Sequence, residues 1–381
     1  MKKICLLIIL VLFFPSCSKT DENISVNNDV NEKIVKNVEV FSNVNLKDLV
    51  DDAINDEKID TTDIKKYEMS YETNKNEKKL IEINIVDTTS PYIGIFKNYT
   101  HVIGNDFTLI ERTFCGDNYD RNVKCTLSGQ YDLSKEGSYD LKIIGKDSSG
   151  NETIKDFTLN VIPKKENSSS SNNTLSLDDI KNINKDNVPL LIDVSKWQGS
   201  IDYNKVKESG IEYVMVRIGT QKGIGLDSKV DDFFEENYEK IIKAGLKVGV
   251  YYFSYAKTIE EAKEGAKFVL DTLNKRALSL PVAFDWECWE YFNGMNLNFH
   301  DLNSIADTFL KEVKNGGYDV ILYGSKNYLE NVWNLDYDIW LAHYTFNTSY
   351  KKDKVMWQFS NKARINGIKG NVDVNFYYGN K

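Results

Sequence analysis

Asp285 and Glu287 stand two residues apart at the end of an otherwise apolar run, Val282-Ala283-Phe284. On a β-strand, alternation turns both carboxyls to one face, with backbone positions about 6.6 Å apart. Carboxylates that close cannot both ionise easily, so one holds its proton above the ordinary range. A protonated acid beside a carboxylate is the equipment of general acid–base catalysis. An isolated Asp-x-Glu is more often surface charge, but charges ending a buried strand call for a partner or a task. Asp193 and Asp373 fall in or beside two other apolar runs.

The elements that must position these acids alternate in type. Strand patterns cover Leu190–Ser195, Tyr213–Gly219, Lys247–Ser254, Pro281–Glu287 and Val320–Ser325. Helical patterns cover Tyr203–Ser209, Val230–Ala244, Thr258–Asn274 and Asp301–Asn315. Three closing strands follow, at Asp338–Tyr344, Lys354–Ser360 and Val372–Tyr377. Such alternation implies a mainly parallel, closed sheet. The predicted class is a multidomain chain whose C-terminal part, residues 189–381, is an α/β (β/α)5(β)3 TIM-like barrel. Chemistry in such barrels sits at the C-terminal strand ends. Asp193 lies there on the first strand, and Asp285 and Glu287 on the fourth. Asp373 falls early in the last strand or in the loop before it.

The N-terminal half reads differently. Met1-Lys2-Lys3, an apolar run from Ile4 to Phe14, and Pro15-Ser16-Cys17 make a secretory signal over 1–16. It resembles a bacterial lipoprotein signal, which implies a lipid on Cys17 and anchorage to the outer face of the cell membrane. Residues 17–36 are a polar tether, and 37–87 a possible degenerate β unit. Short strands recur over 88–163, at Tyr92–Phe96, Asp106–Ile110, Val123–Leu127, Tyr139–Ile144 and Phe157–Ile162. This is the pattern of a small all-β sandwich. With Asp87-Thr88-Thr89-Ser90-Pro91 and Gly145-Lys146-Asp147-Ser148-Ser149-Gly150-Asn151, the segment resembles bacterial immunoglobulin-like domains. Cys115 and Cys125 flank a polar turn, where a disulfide would pin a hairpin. Residues 164–188 are a Ser/Asn-rich linker.

The formal net charge of −9 argues against nucleic-acid binding. The three histidines are scattered and no CxxC pair occurs, so neither a metal nor a cofactor is expected.

Several stretches of the C-terminal half resemble glycoside hydrolase family 25 lysozymes. They are Asp193-Val194-Ser195-Lys196-Trp197-Gln198-Gly199, Gly249-Val250-Tyr251-Tyr252-Phe253, Leu280 through Glu287, Trp340-Leu341-Ala342, Met356-Trp357-Gln358-Phe359-Ser360 and Gly367 through Asn375. Their order and spacing hold from about Pro189 to Gly379. The resemblance implies a muramidase that cuts the β-1,4 bond between N-acetylmuramic acid and N-acetylglucosamine in peptidoglycan. It implies Glu287 as proton donor, an ionised Asp285 beside it, and an acidic ring completed by Asp193 and Asp373. Whether Asp285 orients the substrate's N-acetyl group or stabilises the developing cation stays open. Tyr251, Trp197, Gln198, Trp357, Gln358 and Trp286 form the expected sugar-binding set, although alternation turns Trp286 away from the Asp285 side. Tyr252 departs from the family's usual His and should face outward. The rival reading is a non-catalytic glycan-binding lipoprotein. A structural adhesin would rest on the β segment alone, which reads instead as a spacer between membrane and barrel.

Overall fold

The computed structural model describes residues 34–164 and 174–379. The signal segment, Cys17 with its expected lipid, most of the tether and residues 165–173 of the linker lie outside the described residues. No helix among the described residues is long and apolar enough to cross a membrane.

Eight strands close the C-terminal barrel: β1 (Leu190–Val194), β2 (Ile211–Gln221), β3 (Lys247–Ser254), β4 (Val282–Trp286), β5 (Val320–Ser325), β6 (Ile339–Ala342), β7 (Met356–Ala363) and β8 (Val372–Tyr377). Strands β1 to β7 pair in parallel, and β8 runs antiparallel to both β7 and β1. Helices α1 (Tyr203–Glu208), α2 (Phe234–Ala244), α3 (Ile259–Leu273), α4 (Phe299–Asn315) and α5 (Lys326–Asn331) connect the first six strands. Alternation splits the strand residues into two cores. Leu191, Met215, Ala283, Ile321, Trp340 and Met356 fill the barrel interior, while Ile192, Val216, Val250, Phe284 and Leu322 pack outward. Gly249 is small because a Cβ there would come within 2.6 Å of the Met215 sulfur and Leu280.

Two boundaries move. The helical period read from Val230 begins only at Phe234, because Ser228–Val230 turns back and pairs with β2. Within the supposed linker, Leu177–Ile183 forms a helix with Ser176 as N-cap, and its Ile180 is fully buried in the outer core. An amphipathic turn overrides the polar composition around it.

In the β segment, Asn98–Val102, Glu152–Ile162, Gly137–Lys146 and Lys124–Ser128 form one sheet in that order, and Tyr92–Gly94 pairs with Phe114–Gly116. The strand expected at Asp106–Ile110 is instead a loop entering a helical turn at Leu109, closed by the Thr113 hydroxyl donating to the Leu109 carbonyl at 2.7 Å. Cys115 and Cys125 are disulfide-bonded. Farther upstream, Ile34–Glu39, Lys78–Val86 and Lys65–Glu72 form a three-stranded sheet in that order, so residues 34–36 of the expected tether are strand.

The β segment is not a free-standing spacer. Residues 85–379 pack as one compact unit with 38–43 and 60–65. Phe114 leaves the β segment and inserts among Trp289, Phe292, Phe299 and Tyr328 of the barrel. It is 3% exposed, and burying a side chain of this size contributes about 2–3 kcal/mol. A Cβ at Gly116 would collide with the Phe299 and Phe292 rings. The Phe299 N–H donates to the Asp117 carbonyl at 2.7 Å, and Arg121 makes a bidentate pair with Asp301 at 2.6 and 3.0 Å.

Candidate active site

Most barrel strands carry an inward polar residue toward one mouth, so the interior core gives way there to a polar layer. Asp193 ends β1, Arg217 points inward from β2, Tyr251 from β3, Asp285 from β4, Tyr323 from β5 and Gln358 from β7. Because β8 is antiparallel, its first residues, not its last, lie at this mouth. Asp373 therefore sits directly opposite Asp193 in register. Chain order alone left its place ambiguous.

Asp193 is held rigidly. Its carboxylate accepts from Gln358 Nε2 at 3.0 and 3.2 Å and from Asn375 Nδ2 at 2.8 Å. Asn375 Oδ1 in turn accepts from the Trp340 indole at 2.7 Å. Burial pushes the Asp193 carboxyl up to about 6, against the pull of these amides, and the charge of Glu287 adds to the rise. Burial, with Asp193 and Glu287 behind it, pushes Asp373 up to about 8.

Asp285 and Glu287 are hydrogen-bonded to each other. Asp285 is 5% exposed and its Oδ1 has no partner. Burial first, then Glu287 and Asp193, drive its carboxyl well above the carboxylate range, and Arg217 opposes them. This direction runs against the expectation that Asp285 stays ionised in the free protein. Both members are raised, which favours sharing one proton over full ionisation of the pair. Burial also raises Glu287, yet Glu287 is the member open to solvent at the mouth.

Tyr323 touches Glu287 and donates to Gln358 Oε1 at 3.0 Å, an oxygen that also accepts from Tyr344 at 3.1 Å. A hydroxyl has one proton. Given to Gln358, it leaves the Tyr323 oxygen able to accept from a protonated Glu287. With Tyr344 serving Gln358, the same proton can go to a Glu287 carboxylate. The arrangement therefore supports Glu287 in both protonation states. Tyr251 packs edge-on against Trp340 beside Ser195, Asp193 and Asp285, and burial drives its hydroxyl far above its usual range.

Three expected sugar contacts are turned elsewhere. Trp286 is 1% exposed and its indole donates to the Ala256 carbonyl at 2.9 Å. Trp357 lies one residue out of phase with Gln358, packs on Phe359 and Phe376, and donates to the His343 carbonyl at 2.9 Å. Gln198 caps its own turn, its Oε1 accepting the Ser195 N–H at 2.9 Å. Trp197 is 77% exposed. Tyr291, Tyr344 and Phe346 are also exposed on loops that follow β4 and β6. Tyr252 faces outward as expected, stacked on Phe309 and hydrogen-bonded to Ser228 at 2.6 Å. Cys288 is a buried thiol pushed up to about 12 by burial.

Arg217, Tyr323, Tyr344 and Asn375 escaped the sequence reading. Arg217 carried a signal, since an Arg ending the apolar run Tyr213-Val214-Met215-Val216 needs an acid. Asp231 supplies it, at 2.6 and 2.7 Å from the guanidinium.

Residues 192–368 match the model of glycosyl hydrolases family 25. The match runs from β1 into the loop before β8, across most of the barrel, which is thus similar to that family. The chain is 30% identical over 191 residues to the autolytic lysozyme of Clostridium acetobutylicum, covering 48% of this chain and 54% of that protein. Lysozyme M1 of Streptomyces globisporus is 26% identical over 206 residues, covering 49% and 67%. The modular autolysin LytC of Streptococcus pneumoniae, solved with a synthetic peptidoglycan ligand, superimposes with a TM-score of 0.45 at 23% identity, covering 62% of this chain and 56% of that one. The chain thus spans only about half the length of the Clostridium relative.

Proposed function

We propose that this protein is a muramidase, cleaving the β-1,4 bond between N-acetylmuramic acid and N-acetylglucosamine in peptidoglycan. The observation that carries the reading is the convergence of Asp193, Asp285, Glu287 and Asp373 on one mouth, with Asp285 and Glu287 in contact and both carboxyls raised by burial. Glycoside cleavage needs a proton for the leaving oxygen and negative charge near the anomeric carbon. Glu287, open to solvent, is the member that reaches the leaving oxygen. With the proton on Glu287, Asp285 becomes the anion, and Arg217 limits the cost of that charge. The anion then faces the developing oxocarbenium ion. Gln358 and Asn375 hold Asp193 as a fixed wall of the same site. Trp197 and the loop aromatics offer flat faces to the pyranose rings.

The (β/α)5(β)3 description and the immunoglobulin-like identity of 88–163 belong to this proposal, as does a lipid anchor at Cys17, which rests on the N-terminal motif alone. The matching autolytic lysozyme and lysozyme M1 support a cell-wall substrate. Zymography on purified walls tests the reading. Wild type should clear the gel and Glu287→Gln should not. Clearing by the variant would remove Glu287 as the acid, and no clearing by wild type would favour a glycan-binding protein.

A further inference from the structure

A second acidic cluster lies outside the barrel mouth, at one end of the β segment. Asp87 follows the strand ending at Val86, Asp117 the strand ending at Gly116, and Asp147 the strand ending at Lys146. One ligand oxygen from each lies within 4.8 Å of the other two. The three residues are 6%, 0% and 7% exposed. Among the described residues, no ion pair involves any of them.

The donors they do have are neutral. Asp87 Oδ1 accepts the Thr89 N–H at 3.2 Å, and the Ser149 hydroxyl lies beside the same carboxyl. Asp117 Oδ1 accepts the N–H groups of Tyr119 and Asp120 at 2.8 and 3.0 Å. Asp147 accepts the N–H and Nδ2 of Asn151 at 2.7 and 2.8 Å. Asp87 Oδ2 is left buried with no hydrogen-bond partner. The Asn118 amide completes the cluster, one of its atoms lying 3.1 and 3.2 Å from the Asp117 oxygens and 3.3 Å from Asp87 Oδ1. As an NH2 it can bridge the two carboxylates; turned over, its oxygen joins theirs around a common centre.

Buried carboxylates without opposing charge are costly. The groups facing one another here are oxygens, with no His or Cys among them, which selects a hard cation over zinc. Ligands borne on separate loops suit the larger, geometrically tolerant Ca2+ better than octahedral Mg2+. We propose that Asp87, Asp117 and Asp147, with the Asn118 amide oxygen, form a Ca2+-binding site.

The site has a mechanical consequence. The loop leaving Asp117 is the one that docks on the start of α4. Its carbonyls accept from Phe299 N–H and from Asn298 Nδ2, and its Arg121 holds Asp301. A bound cation fixes this loop where it meets the barrel.

The full chain, stripped with EDTA and exchanged into chelator-free buffer, is titrated with CaCl2 in a calorimeter and melted with and without it. The expected result is saturable binding, with a melting midpoint raised by on the order of 5 °C at a hundredfold excess over Kd. The double variant Asp117→Asn/Asp147→Asn should lose both signals. If it does not fold, Asp87→Asn carries the same reading, since Oδ2 has no partner to lose. No heat and no shift in wild type would overturn the site, as would an undiminished response in the variant. MgCl2 matching CaCl2 would overturn the choice of calcium.

Discussion

At the barrel mouth, Asp193, Asp285, Glu287 and Asp373 are met by tyrosine hydroxyls, two side-chain amides and an arginine, and Glu287 reaches solvent. At the end of the β segment, Asp87, Asp117 and Asp147 are met mostly by backbone N–H groups and two asparagine side chains, with the Ser149 hydroxyl beside Asp87, and all three are buried. Both clusters gather carboxylates, but their donors differ in kind. Hydroxyls can turn and redirect their hydrogen bond, as Tyr323 can between Gln358 and Glu287. Backbone N–H groups are fixed and keep theirs. The first environment suits proton transfer, and the second suits a permanent charge partner.

Neutralising one acid in each cluster should give crossed outcomes. Asp285→Asn should lower kcat on peptidoglycan by about a thousandfold, read by turnover of labelled wall, while its calcium-dependent melting shift persists. A variant that kept full turnover would dissolve the contrast. Next in size is the joint between the two regions. Phe114→Ala removes a ring 3% exposed and should cost about 3 kcal/mol, seen as a lower melting midpoint for the whole 85–379 unit. Separate melting of barrel and β segment would show that the two are not coupled.

The raised carboxyls set a pH dependence. Asp193 at about 6 and Asp373 at about 8 bind more protons folded than unfolded between pH 4 and 8. In that window stability falls as pH rises, since the buried groups must ionise. Asp373→Asn should flatten this slope in melting curves taken from pH 4 to 8; an unchanged slope would place the titration elsewhere. The smallest effect belongs to Trp197→Ala. It should raise KM about fivefold with kcat little changed, as loss of an exposed sugar platform implies. A fall in kcat alone would instead put Trp197 in the chemistry.

Much of the barrel was legible because its strands are apolar runs bounded by Gly caps and turn residues, and strand-end acids stand out against them. The misreadings share one cause. Trp286 and Trp357 differ from their neighbours only by strand parity, and aromatic type drew more weight than alternation. Asn375 became part of the site through the register of β8 against β1 and β7, and Tyr323 and Tyr344 by meeting Gln358 across the closed sheet, which no local pattern encodes. Phe114 looked like an ordinary strand residue, because the partner it fills is nearly 180 positions away. The Asp87, Asp117 and Asp147 cluster escaped for the same reason. Each stands alone in sequence as a turn residue, while the metal signals sought were His and Cys.

The central claim is that Glu287 delivers the proton that splits the glycan at muramic acid. Mass analysis of the sugar ends released from purified peptidoglycan tests it most directly. The account predicts new reducing ends on N-acetylmuramic acid with wild type and none with Glu287→Gln. Reducing ends on N-acetylglucosamine, or equal release by the variant, would contradict it.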